Sequence, residues 1–270
     1  MIRTLKKAPC FPLATAAMVL TMTVTASAQW DPYPWKRVPR TADGKVNLSA
    51  PTPKSPDGKP DLSGVWESDP KYFNDLAADL KPGQLAMLPW AKQLQADREK
   101  RDHRDDPMNN CRPPGVPRIN MTTRNGPHPL KIVQTPLLVV LLYETSTNST
   151  FRQVFLDGRP FPKDPNPTWL GYSIGRWEGS TLVVDTTGFN GLEWVDTAKG
   201  HPQTTSAHVT ERFTRLDYGL MQIEITIDDP GAYEKPWSAS VPFHLLPDTD
   251  LIETYCENEK DHVHEGIQEK

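Results

Sequence analysis

Between Pro129 and Asn258 the chain is a succession of short apolar segments cut by turn residues: "PLKIVQTP", "LLVVLLYET", "FRQVFLDGRPFP", "GYSIGRWEG", "STLVVDTTGF", "SAHVTERFTRLD", "GLMQIEITIDDP", "WSASVPFHLLP" and "LIETYCEN". Pro136, Asp157-Gly158, Glu178-Gly179, Asp217-Tyr218-Gly219 and Asp248-Thr249-Asp250 punctuate them. Alternating segments at this spacing, with no helical run between them, exclude βαβ units and predict a mainly antiparallel all-β barrel or sandwich. The first of these strands is expected earlier, in "PDLSGVWES", where Leu62, Gly64 and Trp66 share a face.

The one helical stretch expected is an insertion over Lys81–Arg104, with an imperfect apolar stripe through Leu85, Leu88, Ala91 and Leu94. Pro89 is expected to kink or split it. Its end, "ADREKRDHRDD", alternates in sign and reads as a solvated face. A proline-pinned loop, "DPMNNCRPPGVPRINM", follows.

The N-terminus reads as a secretory leader over residues 1–28. Arg3, Lys6 and Lys7 precede a mostly apolar run, and Ala26-Ser27-Ala28 supplies a small-x-small cleavage site before Gln29. Residues 29–60 form a proline-rich extended arm, 61–258 the barrel domain, and 259–270 a polar tail. Location is therefore expected to be periplasmic or secreted, with no membrane-spanning segment in the mature form. Cys10 leaves with the leader, so Cys111 and Cys256 are expected to form a disulfide in an oxidising compartment. The chain has 30 Lys and Arg against 34 Asp and Glu. Losing the leader's three basic residues leaves 27 against 34, a formal charge of −7, with the bases scattered among acids. That distribution excludes a nucleic-acid footprint.

"DLSGVWES" resembles the Gly-x-Trp opening strand of lipocalins and other calycins. "RWEGSTLVVDTTGF", "HVTERF" and "ITIDDPGAYEKPW" are similar to strings in an uncharacterised group of exported bacterial lipocalin-like proteins, over about Asp61–Asn258. The resemblance implies a calycin-like barrel with Trp66 across its closed end, and a small, partly apolar ligand. The insertion and the proline loop depart from a simple lipocalin.

Alternation in "HVTERF" places Val209, Glu211 and Phe213 on one face of a strand and His208, Thr210 and Arg212 on the other. An inward Glu211 must be paired or neutral. Either it is a ligand contact or acid–base group, or it forms a structural pair with an inward arginine such as Arg176 or Arg152. The leading expectation is small-molecule binding through Arg176, Tyr172, Trp177 and Glu211. The alternative is a cofactor-free lyase, isomerase or hydrolase, with Glu211 or His208 as acid–base and Arg176 stabilising negative charge. A third possibility is an interaction protein that docks a partner through its arm and edges. Trp169, Trp177, Trp194 and Trp237 offer an aromatic platform, although tryptophans more commonly serve the core. No cofactor and no metal site is expected, because the seven histidines and the acids give no ligand spacing of a known kind. No G-x-S-x-G elbow is present.

Overall fold

A computed structural model describes residues 38–121, 128–145, 150–247, 249–254 and 256. The leader, the arm up to residue 37 and the polar tail lie outside the described residues. Nine strands close into one barrel in chain order. They are β1 (Gly64–Ser68), β2 (Leu130–Gln134), β3 (Leu138–Tyr143), β4 (Thr150–Phe155), β5 (Tyr172–Glu178), β6 (Thr181–Thr187), β7 (His208–Arg215), β8 (Leu220–Asp228) and β9 (Trp237–Leu245). β9 returns to β1 through the antiparallel register Trp66↔Leu245, so no sheet edge is left open there.

Every neighbouring pair is antiparallel except β4 and β5. These run parallel and share only Val154↔Ser173 and Phe155↔Ile174. The Asp157-Gly158 turn does not return a strand, because Pro160, Pro162, Pro165 and Pro167 follow it and cannot donate to a ladder. The chain instead travels back along the outer wall, packing Phe161 edge-on to Tyr172 and His208, before β5 begins. A parallel pairing needs such a crossover.

Strand alternation fills the interior. Leu182, Val184, Phe213, Ile223, Ile225, Val241 and Phe243 are all buried, together with Leu62 and Trp66. The space bounded by Leu62, Ile132, Val139, Leu141, Val154, Leu182, Val184 and Phe213 amounts to about 180 Å³ of interstitial volume, none of it wide enough for a water molecule.

At one end the barrel is shut by the arm and by Trp66, whose indole N–H donates to the Leu62 carbonyl at 3.0 Å. The Arg215 guanidinium lies 4.8 Å over the Trp66 ring and donates to the carbonyls of Asp61 and Tyr218. Gly64 explains the Gly-x-Trp pattern locally. Its φ is +145°, and a Cβ there would sit 2.6 Å from a Leu245 methyl. The arm docks here too: Tyr218 and Gly219 donate their N–H groups to Ala50 and Leu48.

The opposite end is covered by the segments between β1 and β2, between β6 and β7, and between β8 and β9. Helix α1 (Pro70–Asn74) begins with Pro70 at its first turn and an Asp69 cap that accepts from Lys71 N–H. It was not expected, being too short to show periodicity. Helix α2 (Pro89–Lys100) is shorter than the expected 81–104, and Pro89 starts it rather than kinking it. A proline at the first turn loses no intrahelical bond, so it sets the boundary. The Cys111–Cys256 disulfide is formed across 145 residues and ties the proline loop to the chain beyond β9. No described helix is long and apolar enough to cross a membrane.

Candidate functional site

The polar chemistry concentrates at the covered end. The proline loop runs from α2 to a 3-10 turn, Arg118–Asn120. Arg118 is fully buried and forks onto Asp106 at 3.0 and 2.6 Å, which fixes the turn. The turn thereby places Asn120 over the barrel axis. Asn120 donates to Glu211 Oε1, and its own Oδ1 accepts the Tyr143 hydroxyl at 2.7 Å. Glu211 Oε2 accepts from Arg152 Nη2 at 2.5 Å. Arg152 also donates through Nε to Ser173 at 2.8 Å and through Nη2 to Thr186 at 2.6 Å. Only its Nη1 has no hydrogen-bond partner.

Thus Val209, Glu211 and Phe213 face inward, and Glu211 takes the structural pairing with Arg152. Burial works against the Arg152 charge, but Glu211 and Tyr143 outweigh it and raise its pKa. Burial pushes the Tyr143 phenol well up, so it stays a hydrogen-bond donor. Glu211 is wholly buried, and both of its carboxylate oxygens are engaged by Asn120 and Arg152.

Arg176 is not part of this network. It projects from the outer face, half exposed, onto Glu178 at 2.9 Å and Asp185 at 2.5 Å. His208 shares Asp185 from the same outer face at 3.0 Å, and Thr210 donates to it at 2.8 Å. The His208 bond, opposed by burial and reinforced by Thr210 and Arg176, holds the Asp185 carboxyl far below the usual carboxylate range. The same bond raises His208. Glu211 and His208 therefore stand on opposite sides of the wall and cannot act on one substrate atom. Trp177 packs against the core, with the Lys59 ammonium 6.0 Å from its ring centre.

Tyr172 does border open space. Because β4 and β5 share so short a register, a cleft of about 410 Å³ opens beside their seam. Phe151, Gln153, Phe155, Trp169 and Tyr172 form its walls, and the buried Arg152 and Ser173 also border it. Phe155 and Tyr172 stack at 5.3 Å, and Arg159 covers the other side of Phe155 at 3.9 Å. Gly171 lies in the lining with φ +63°; a Cβ there would meet the Thr187 carbonyl at 2.7 Å. Trp169 also borders a second cleft of about 500 Å³, with Trp194, Arg98 and Arg112. Of the four platform tryptophans, Trp169 is partly exposed at both clefts, Trp194 is buried, and Trp177 and Trp237 serve the core.

No family model matches the chain, and no curated protein does.

The third group at this end joins α1 to the β6–β7 segment. A small hairpin pairs Trp194 with Pro202, and Val195 N–H donates to the His201 carbonyl, so Asp196 and His201 face each other across its mouth. His201 Nδ1 and Asp196 Oδ2 are 2.5 Å apart, and the same oxygen accepts Leu76 N–H at 3.0 Å. Asp75, capping α1, brings a second carboxylate, and one donor atom from each of the three residues falls within 4.8 Å of the others. Burial, and then the Asp196 charge, push the Asp75 carboxyl up. The cluster is not visible in sequence, because Asp75 lies in a segment far from the Asp196–His201 hairpin. The only local signal was Gly200, which permits the tight hairpin before His201 with φ +61°.

Proposed function

We propose that this protein binds a small, partly apolar molecule in the seam cleft between β4 and β5, outside the filled barrel interior. The observation that carries the reading is the aromatic-walled cleft with the buried Arg152 in its lining, whose Nη1 stands outside the bonds to Glu211, Ser173 and Thr186. The cleft volume falls in the range of small-molecule sites, and aromatic walls with one convergent polar group are their usual composition. Glu211 already balances the Arg152 charge, so the group best suited to Nη1 is a neutral acceptor such as a carbonyl or hydroxyl oxygen. Tyr172 is then a wall contact and Glu211 an orienting partner of Arg152. The acid–base alternative draws no support from this arrangement, because both Glu211 oxygens are engaged and His208 is committed to Asp185.

Export to an oxidising compartment is part of the same proposal, supported by the Cys111–Cys256 bridge and the leader-like first 28 residues. So is kinship with exported lipocalin-like proteins, supported by the Gly64-x-Trp66 strand at the closed end.

The test is fluorescence titration with 6-propionyl-2-dimethylaminonaphthalene, a neutral aromatic ketone whose carbonyl oxygen is an acceptor of the kind the site calls for. One saturable site is expected, with affinity about tenfold weaker in Trp169→Ala and in Tyr172→Ala, each of which removes ~1–2 kcal/mol of aromatic contact. Absence of saturable binding, or unchanged affinity in both variants, would refute the cleft.

A further inference from the structure

We infer that Asp75, Asp196 and His201 form a binding site for one divalent transition-metal cation of the zinc class, independent of the seam cleft. The donor set is one imidazole nitrogen and two carboxylate oxygens, all mutually within 4.8 Å. Around a cation with ligand bonds of about 2.0–2.2 Å, such atoms stand roughly 3–4 Å apart, so small side-chain movements close the site. Nitrogen with oxygen suits a borderline cation better than calcium or magnesium, which take oxygen alone.

Charge points the same way. Asp196 is fully buried, Asp75 is half-buried beside it, and no Lys or Arg forms an ion pair with either among the described residues. Buried carboxylates ordinarily sit against a cation or a metal. His201 contributes at most one positive charge, whereas a dication balances both acids.

An independent observation lies in the surrounding shell. Gln203 is 3% exposed, yet neither its Oε1 nor its Nε2 has a hydrogen-bond partner. The bridge at Pro202 gives this segment local strand geometry, which sends Gln203 to the same side as His201. Thr197 Oγ1, next to Asp196, and Trp237 Nε1, whose ring centre is 6.2 Å from that of His201, are likewise buried without partners. Buried orphans of this kind are rare in proteins, and here they gather around one donor cluster. A cation completing its coordination with Gln203 Oε1 would satisfy that buried acceptor. Metal binding at His201 Nδ1 requires the tautomer with hydrogen on Nε2, so the 2.5 Å contact with Asp196 is exchanged for shared ligation.

The experiment is calorimetric titration of Zn²⁺ into the chelator-treated, disulfide-intact chain. The background is His262→Ala/His264→Ala, which removes the tail histidines as competing ligands. One equivalent is expected to bind and to raise the thermal midpoint. Asp75→Asn, at the most accessible ligand, should weaken binding by more than ~100-fold, beyond the usual cost of losing an outer-shell partner. His208→Ala should leave binding unchanged. A parent protein with no saturable Zn²⁺ binding overturns the site, as does binding that survives Asp75→Asn or is lost with His208→Ala.

Discussion

Glu211 shows how a buried carboxylate is held by the fold. It is wholly buried and accepts from Arg152 Nη2, while Arg152 Nη1 stays outside the hydrogen bonds of the network. Removing its charge strands that of Arg152 in the barrel. Glu211→Gln is expected to cost about 3–5 kcal/mol by chemical denaturation, and the double variant Glu211→Leu/Arg152→Met less than that single loss. A double variant less stable than the single would show that the pair itself stabilises the barrel. Glu193 is the opposite case. It is buried, its Oε1 accepts Asn190 N–H at 3.1 Å, and its Oε2 has no partner. Burial raises its pKa above the ordinary glutamate range. A raised acid binds more protons folded than unfolded, so its contribution favours folding at low pH and is lost as pH rises through the folded pKa. Glu193→Gln should therefore stabilise the protein at pH 7 by roughly 1 kcal/mol. The gain should shrink to nothing below the ordinary glutamate pKa, as thermal melts at both pH values would show. An equal gain at both would place the effect outside ionisation.

Among the elements, the strands could be read in the sequence because period-two alternation and Gly- or Asp-containing turns are local signals. The inward set on β7 followed from alternation alone, and Arg152 was already one of two partners open to Glu211. The side chosen by Arg176 was not readable from its own hairpin, since Tyr172-Ile174-Arg176 and Ser173-Gly175-Trp177 are both mixed faces. The acid at Asp185 draws Arg176 outward, while Trp177 takes the core side. The parallel seam was not readable either: prolines announce a crossover but not where it lands. Asp75 meets Asp196 and His201 only through tertiary contacts such as the Leu76–Asp196 bond, which spans 120 residues. Gly64, by contrast, carries its reason in its own dihedral. Gly64→Ala should destabilise by about 1–3 kcal/mol through strain and overpacking against Leu245, measured by denaturant unfolding. A stability within 0.5 kcal/mol (~ the usual surface-substitution range) would mean that β1 relaxes freely there.

At the scale of the molecule the two barrel ends divide the work. Trp66, Arg215 and the arm seal one end with apolar stacking and carbonyl bonds. The other end gathers the loops, the buried network, both clefts and the acidic–imidazole cluster. The disulfide secures that end by closing a long loop, which in the chain-entropy model stabilises by ~5 kcal/mol. In the proposed reading the barrel is a scaffold, and the cleft at its one parallel seam is the binding surface. The most direct measurement is a ¹H–¹⁵N correlation titration of the folded chain with the same neutral naphthyl ketone probe. Shifts confined to Phe151–Phe155 and Thr168–Ser173 are the predicted result. Shifts centred on Leu62, Ile132 and Phe213, deep in the interior, would contradict it.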